Sequence, residues 1–263
     1  MQPAMNSYLH TPFELTERVA LVTGGGRGLG KEMARIFAAA GADVLLCSRT
    51  ESQLQATARE LAAESGRRIE YVTADVAVRT ESVRLAQAAL QRMGRIDILV
   101  SNAGHNVPQP VDQVRDEDWD RLFELNVHSG MALTRALAPG MMERCWGRVI
   151  YISSVMAFGS TPERPAYSAS NAALLGMVKA NALRLGPYGV TVNCLAPGPF
   201  ATEMPMKILS AEQKAVFGER SALKRWGEPR ELAPAALLLA SAAGSYITGS
   251  VMVVDGGTTG RMF

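Results

Sequence analysis

Hydrophobic positions along the chain occur in short, nearly continuous runs, and these runs alternate with longer stretches of helical periodicity. Runs of this length without polar interruption are typical of strands that are buried on both faces of a parallel sheet. Because strands and helices alternate, the pattern predicts a doubly wound α/β fold with helices on both faces of the sheet. The predicted strands are Val19–Thr23, Asp43–Cys47, Ile69–Thr73, Ile98–Ser101, Val149–Ser153, Thr191–Leu195 and Val251–Val254.

The stretches between these runs place apolar residues at the spacing of an amphipathic helix. No linker, repeat or low-complexity segment divides the sequence, so we expect a single domain over residues 16–263. Residues 1–15 have no apolar period to bury, and we expect a loosely ordered arm there. The predicted helices are Lys31–Ala40, Glu51–Glu64, Glu81–Met93, Trp119–Met142 and Ala166–Leu185.

The amino-acid composition excludes two classes of binding partner, nucleic acids and membranes. The formal net charge of +2 creates no basic field that would attract nucleic acid or anionic lipid. No apolar segment reaches the roughly 18 residues needed to span a bilayer, and the first residues do not resemble a signal peptide. We therefore expect a soluble, cytoplasmic protein without nucleic-acid or membrane partners. Cys47, Cys145 and Cys194 lack the spacing of a zinc or disulfide site, which predicts small core residues and no metal.

The turn after the first predicted strand is rich in glycine and reads Thr23-Gly24-Gly25-Gly26-Arg27-Gly28-Leu29-Gly30. It lies between a predicted strand and a predicted helix, which is the context that a phosphate-binding turn requires. Glycine permits the tight bend and leaves backbone amides close to a pyrophosphate at the helix N-terminus. The sequence therefore predicts a dinucleotide-binding turn formed by Gly24, Arg27, Gly28, Leu29 and Gly30.

The end of the second predicted strand indicates which dinucleotide is bound. A carboxylate at this place bonds the ribose 2′-hydroxyl of NAD, whereas an arginine accepts the 2′-phosphate of NADP. The chain has Ser48 and Arg49 there, and Arg27 offers a second cation for the same phosphate. NADP(H) is thus favoured, and NAD(H) stays open. The alternative interpretation is that both arginines are solvated surface charges.

A tyrosine in the run Tyr167-Ser168-Ala169-Ser170-Asn171 follows Ser154 and the glycine-rich turn in the chain. Together these motifs resemble the classical short-chain dehydrogenases and reductases, with similarity to gluconate 5-dehydrogenases and 3-oxoacyl carrier-protein reductases over roughly residues 16–257. The resemblance implies a seven-stranded Rossmann fold and hydride transfer between NADP(H) and a carbonyl or secondary alcohol. It also implies roles for three residues: Tyr167 exchanges the proton, Ser154 orients the substrate oxygen, and Asn126 anchors a water relay.

The same resemblance implies further contacts with the cofactor. In the family pattern, Asp75 and Val76 hold the adenine, and the turn Asn102-Ala103-Gly104 lies along the dinucleotide. Tyr167 and Asn171 bond the ribose, and a segment containing Pro197, Gly198 and Thr202 binds the nicotinamide amide. The family also implies a small-molecule substrate and a homotetramer or homodimer. Small residues in the helix over 166–185, Ala172, Ala173 and Gly176, would permit close helix packing in such an assembly.

Asn171 occupies the position where the family pattern has a lysine. Residues four apart share a helix face, so this side chain belongs beside the Tyr167 phenol. Without a nearby cation, a phenol with a pKa near 10 is ionised in only about one molecule in a thousand at neutral pH. Alcohol oxidation should therefore be impaired more than carbonyl reduction. The alternative is an NADP(H)-binding protein with little or no catalysis, either a natural or an engineered inactive variant.

In the family, residues 199–226 form a lid over the substrate. The lid and the segment after Ser154 carry large apolar side chains, which predict a mostly apolar pocket in which some of them only pack the lid. His105 follows the Asn-Ala-Gly turn and is interpreted as a surface histidine. The candidate pocket residues are Met156, Phe158, Phe200, Met204, Met206, Phe217 and Trp226.

Overall fold

A computed structural model describes residues 11–260, apart from the side chains of residues 204, 205 and 208. Seven strands form one parallel sheet in the order β3-β2-β1-β4-β5-β6-β7. The predicted doubly wound parallel sheet is confirmed, and four strands have the predicted bounds. The strands are β1 (Val19–Thr23), β2 (Asp43–Ser48), β3 (Ile69–Thr73), β4 (Ile98–Ser101), β5 (Gly147–Ile152), β6 (Val190–Pro197) and β7 (Val251–Val254).

Helices cover both faces of the sheet, and each face has its own apolar core. In β1, Leu21 belongs to one core while Ala20 and Val22 belong to the other, which explains why the strand is apolar throughout. The α-helices are α1 (Gly28–Ala39), α2 (Glu51–Ser65), α3 (Arg79–Met93), α4 (Asp116–Phe123), α5 (Ser129–Glu143), α6 (Pro165–Leu185), α7 (Glu203–Ile208), α8 (Ala211–Arg220) and α9 (Pro229–Ala240).

The prediction of one helix over Trp119–Met142 is wrong. A π-helical turn, Glu124–His128, separates α4 from α5, and the Ser129 amide donates to the Glu124 carbonyl five residues earlier. Such turns occur frequently at functional sites, and this one contains Asn126. The hydrophobic pattern does not reveal the turn, because one extra residue per turn barely changes the periodicity.

The expected loose arm over residues 1–15 stays a prediction, and the structure shows its last residue, Leu15, attached to the domain. Leu15 is 1% exposed, and its amide donates to the Ala40 carbonyl at 2.7 Å. Leu15 therefore packs against the domain, Thr11, Phe13 and Glu14 are exposed, and residues 1–10 lie outside the described residues.

Two of the three cysteines, Cys47 and Cys194, are buried, as predicted. The prediction is wrong for Cys145, which is exposed in the turn before β5 with a φ of +52°. Within residues 11–260, we find no helix that combines the length and apolar character needed to cross a membrane.

Candidate active site

The carboxyl ends of β1 and β4 are joined through one threonine. Thr23 Oγ1 accepts hydrogen bonds from the amides of Asn102 and Ala103, each at 3.0 Å. Asn102 Nδ2 in turn donates to the Thr23 carbonyl at 2.8 Å. The Asn102-Ala103-Gly104 turn is therefore held against the glycine-rich turn. No separate role was predicted for Thr23, although its place directly before Gly24 is a signal that it belongs to the turn.

Two glycines leave space that a side chain would fill. Gly24 has a φ of +66°, and a Cβ there would lie 2.6 Å from Asn102 Nδ2. A Cβ on Gly30 would overlap the Gly24 carbonyl. Helix α1 begins at Gly28 and continues through Leu29, and no side chain caps its N-terminus. Its first amides are consequently available to a phosphate group.

Ser48 faces the glycine-rich turn from the end of β2. Its Oγ would lie 3.2 Å from a Cβ on Gly26, and it is buried without a hydrogen-bond partner among residues 11–260. Buried hydroxyl groups are normally bonded, so this oxygen indicates a group that completes the site. The next residue, Arg49, is exposed. A dinucleotide fits this edge of the sheet, because the glycine cradle, the helix N-terminus and an unpaired hydroxyl converge there.

Arg27 connects the glycine-rich turn to the segment after β6. Its Nη1 lies 2.9 Å from Glu203 Oε2, and both side chains are largely exposed. Glu203 Oε1 also lies 2.5 Å from Lys207 Nζ. Just before Glu203, Thr202 Cγ2 would lie 3.5 Å from a Cβ on Gly28. The start of the predicted lid therefore lies over the N-terminus of α1, and the guanidinium predicted to bind a phosphate has a carboxylate partner.

Asp75 follows β3 at the same edge of the sheet. Its Oδ1 accepts a hydrogen bond from the Ala77 amide, and its Oδ2 accepts one from Arg121 Nη2, each at 3.1 Å. Val76 is 5% exposed, and its carbonyl accepts a hydrogen bond from Ser82 Oγ. Hydrogen bonds thus hold this turn from several sides, and the Arg121 contact, which links it to α4, was not predicted.

Ser154 and Tyr167 come together between β5 and α6. Ser154 is 8% exposed, and its Oγ accepts a hydrogen bond from the Met156 amide at 3.2 Å. Burial raises the pKa of Tyr167, and a hydrogen bond with Ser154 opposes this rise by stabilising the phenolate. The charge of Arg164 and the side chain of Asn171 lower the pKa further, but burial prevails. The phenol is therefore neutral at physiological pH.

Asn126 joins the Asn-Ala-Gly turn to α6 from within the π-helical turn. Its Nδ2 donates to Ser170 Oγ at 3.0 Å and to the His105 carbonyl at 3.3 Å. The His105 amide donates back to Asn126 Oδ1 at 3.2 Å, and Ser170 Oγ donates to the Tyr167 carbonyl at 3.0 Å. Desolvation lowers the pKa of His105, and the charges of Arg49 and Arg121 lower it further. His105 is exposed, as predicted for a surface histidine.

Asn171 is buried on the face of α6 that carries Tyr167, with an exposed fraction of 3%. Its Nδ2 donates to the Tyr167 carbonyl at 2.8 Å, one helical turn earlier. The Asn171 carbonyl accepts a hydrogen bond from Ser153 Oγ at 3.1 Å. The side chain thus bonds its own helix and brings no charge to the phenol.

Pro197 and Gly198 form a bend at the end of β6. The Gly198 amide donates to the Val254 carbonyl at 2.9 Å, and a Cβ on Gly198 would lie 2.6 Å from Asp255 Cβ. The Asp255 carboxylate accepts hydrogen bonds from the amides of Gly257 and Thr259. Asp255 fixes the surface against which this bend packs. This role was not predicted, although Asp-Gly-Gly is a turn signal.

The aromatic residues of the predicted lid mostly pack against one another. Phe200 is 7% exposed, and the rings of Phe217 and Trp226 lie 5.6 Å apart. Trp226 Nε1 donates to the Lys214 carbonyl at 2.8 Å. Phe158, by contrast, is 52% exposed. Met156 and Met206 are half-buried, and the side chain of Met204 lies outside the described residues.

Comparison with known proteins finds a family model and relatives that match nearly the whole chain. A family model described as Enoyl-(Acyl carrier protein) reductase matches residues 24–259. An uncharacterized oxidoreductase of Mycobacterium tuberculosis is 41% identical over 250 residues, covering 94% of each chain. Dehydrogenase/reductase SDR family member 4 of Homo sapiens is 36% identical, covering 94% of this chain and 90% of the human protein.

Solved structures give the same result. A gluconate 5-dehydrogenase from Burkholderia cenocepacia, in complex with NADP and tartrate, superposes with a TM-score of 0.91. It is 34% identical to this chain, and the match covers 97% of this chain and 100% of the other. This solved structure, the family model and the oxidoreductases of similar sequence each match nearly the whole length of the chain. The chain belongs to the short-chain dehydrogenase/reductase family of oxidoreductases.

Proposed function

We propose that the chain is an NADP(H)-dependent carbonyl reductase and secondary-alcohol dehydrogenase in which reduction is the stronger direction. The observation that carries the proposal is the pairing of Ser154 with a neutral, half-buried Tyr167 beside a glycine cradle. When bound, NADP(H) supplies or accepts a hydride at its nicotinamide ring. The remaining task, moving a proton to or from the substrate oxygen, falls to the residues of this chain.

Ser154 and Tyr167 perform that task as a pair. The Ser154 hydroxyl orients the substrate oxygen, and the Tyr167 phenol donates a proton to it during reduction. Asn126 bonds Ser170, which in turn bonds the Tyr167 carbonyl, so this chain of contacts fixes the first turn of α6. A phenol whose pKa burial has raised is a ready donor and a poor base. The site therefore favours reduction near neutral pH.

The cofactor preference rests on the end of β2. Ser48 and Arg49 stand where a carboxylate would select NAD, and the Ser48 hydroxyl lacks a partner within residues 11–260. Arg27 is the second cation available to a 2′-phosphate once it leaves Glu203. The similar gluconate 5-dehydrogenase was solved with NADP, which supports the same choice here. We propose that Asp75, Val76 and the turn at residues 102–104 complete the cofactor site, with Pro197, Gly198 and Thr202 at its nicotinamide end.

The test is NADPH consumption against a panel of ketones, aldehydes and 3-oxo esters. Gluconate and tartrate join the panel in the direction of oxidation with NADP⁺. The Asn171→Lys variant, which restores the charge of the family pattern, is measured beside the unaltered protein. Turnover by both supports the proposed function, and the best substrate then identifies the activity.

A cofactor-binding protein with little catalysis is the second candidate, and the neutral, buried Asn171 is the observation that favours it. Turnover by the Asn171→Lys variant alone would establish this candidate. Binding of NADPH without turnover in either protein, measured by calorimetry, would leave the reductase proposal without support.

We propose that the chain forms a homotetramer through α6. Leu183 is 82% exposed on this helix, and Ala172 and Gly176 are exposed along its length. Met131 on the neighbouring α5 is 39% exposed. Light scattering of the Leu183→Asp variant should give a smaller particle than that of the unaltered protein. An unchanged mass would place the interface elsewhere.

A further inference from the structure

The carboxylate of Asp75, in the turn after β3, divides its two oxygens between different partners. Oδ1 accepts a hydrogen bond from the Ala77 amide at 3.1 Å, within the turn itself. The backbone of the same turn is closed by the Val78 amide, which donates to the Asp75 carbonyl at 2.9 Å. Oδ2 has its partner on another element, because Arg121 Nη2 on α4 donates to it at 3.1 Å. The ion pair thus connects the turn with a helix residue 46 positions further along the chain.

Asp75 and Arg121 are committed to each other. Within residues 11–260, neither has a second ion-pair partner. Asp118, the carboxylate three residues before Arg121 on α4, is held by Arg115 at 2.6 Å and by Gln109 Nε2 at 2.7 Å. The side chain of Arg121 is 55% exposed and that of Asp75 is 29% exposed, so the pair adds little to the stability of the fold. Its consequence is instead geometric, because the contact restricts the rotation of a partly exposed carboxylate.

Arg121 also borders a small cavity at the carboxyl edge of the sheet. Arg49, which follows β2, and His105, which follows the Asn-Ala-Gly turn, line the same cavity. Leu122 and Leu125 contribute apolar surface to its wall, against which a planar base can pack. Since Arg49 is the residue proposed to hold the 2′-phosphate, the ion pair lies at the adenosine end of the proposed cofactor site.

The chemistry of the pair suits the base of that adenosine. A carboxylate only accepts hydrogen bonds, and the exocyclic amino group of adenine donates them. Each carboxylate oxygen offers two lone pairs, so Oδ2 of Asp75 can accept from Arg121 and from a base at the same time. A side chain that is already held in its bound orientation loses less conformational freedom when the ligand arrives.

We propose that Arg121 is a positioning residue for base recognition, which holds the Asp75 carboxylate toward the amino group of an adenine dinucleotide. The inference rests on the proposed cofactor site at Asp75. Arg121 acts through this carboxylate and takes no part in hydride or proton transfer. Its guanidinium also neutralises a carboxylate that would repel the phosphates of the cofactor, an effect that is the same for any base.

The test compares NADP⁺ with nicotinamide hypoxanthine dinucleotide phosphate, which carries a carbonyl oxygen in place of the adenine amino group. Calorimetry gives the dissociation constant of each, and their ratio measures the preference for adenine, because the phosphates, riboses and nicotinamide are identical. In Arg121→Gln, this preference should fall about fivefold, as expected when one hydrogen bond is less well aligned. Arg121→Lys keeps the cation and should restore most of the preference. Arg115→Gln, which breaks the exposed ion pair with Asp118 on the same helix, is the matched control and should leave the preference unchanged.

A double-variant cycle with Asp75→Ala shows whether Arg121 acts through this carboxylate. In the Asp75→Ala background, the Arg121→Gln change should have no further effect on the preference. An unchanged preference in folded Arg121→Gln overturns the inference, even if the affinity for both dinucleotides falls, because Arg121 would then act only through its charge. Failure of the unaltered protein to bind NADP⁺ would overturn both the inference and the proposed function. A reduced preference in Arg121→Gln, without carbonyl turnover by the unaltered protein or by Asn171→Lys, retains the role of Arg121 and rejects the reductase alone.

Discussion

The candidate site has two halves: a cofactor half formed mainly by backbone turns, and a catalytic half formed mainly by side chains. Around β1, β2 and β4, the surface is made by backbone turns, and Thr23, Gly24 and Gly30 matter because of the space and hydrogen bonds that they provide. Around β5 and α6, the proposed function depends on a few side chains, and their charge would decide the chemistry. One neutral residue, Asn171, leaves the fold of this half intact and changes its electrostatics. Binding and catalysis should therefore be separable by mutation.

The Tyr167→Phe variant should separate cofactor binding from catalysis most completely. Removal of the proton donor is expected to lower kcat/KM for carbonyl reduction about a thousandfold, which lies within the range of general acid catalysis. The dissociation constant for NADPH should rise only a few-fold, because one ribose hydrogen bond is lost while the glycine cradle is untouched. Calorimetry together with steady-state rates checks both expectations. Tyr188→Phe, in the short turn after the C-terminal end of α6, is the control for loss of a tyrosine hydroxyl. A strong loss of NADPH binding in Tyr167→Phe would mean that cofactor binding and catalysis cannot be separated by mutation.

The pH dependence tests the electrostatics of the catalytic half. Since burial holds the pKa of Tyr167 above its ordinary value near 10, the phenolate fraction should rise about tenfold for each pH unit below that value. Alcohol oxidation should consequently increase up to about a hundredfold between pH 7 and pH 9. Carbonyl reduction uses the neutral phenol and should stay level over the same range. A level oxidation profile would mean that another group takes the proton.

Gly30→Ala tests the cofactor half. A Cβ at this position overlaps the Gly24 carbonyl, and overpacking of this kind costs about 1–3 kcal/mol. We expect NADPH affinity to fall about tenfold or more, because the turn must open to admit the methyl group. Gly186→Ala is the matched control, since a Cβ there meets no atom within 4 Å among the residues described. Equal losses in both variants would show a general effect of removing glycine.

The hydrophobic pattern of the sequence predicted the strands and helices of the fold well. The apolar runs gave β1, β3, β4 and β7 their observed bounds, because each strand is buried on both faces or bounded by polar turns. The pattern predicted the helix of Tyr167 and Asn171 almost completely. It missed α9, Pro229–Ala240, whose two prolines obscure a helical sequence. The π-helical turn at Asn126 was equally invisible, since it alters the hydrogen-bond pattern rather than the hydrophobic one.

Contacts between distant parts of the chain escaped prediction for a different reason. Arg121 and Asp75 lie far apart in sequence, as do Gly198 and Asp255, and only the packing of the sheet brings them together. The bond from Asn171 to its own helix is local, yet a rotamer choice decides it. The sequence thus supplied candidate residues for the site, but it did not show which of them are already paired within the chain.

The contact between Arg27 and Glu203 gives the finest test, that of how the predicted lid acts on the cofactor half. Both side chains are exposed, so the ion pair is weak and readily exchanged for another partner. A 2′-phosphate competes with the Glu203 carboxylate for the same guanidinium, whereas NADH has no group to compete. Glu203→Gln should therefore raise the affinity for NADPH a few-fold and leave the affinity for NADH unchanged. Glu212→Gln, in the neighbouring helix α8, is the control. Equal gains for both dinucleotides would mean that Glu203 acts through general charge at the lid rather than through Arg27.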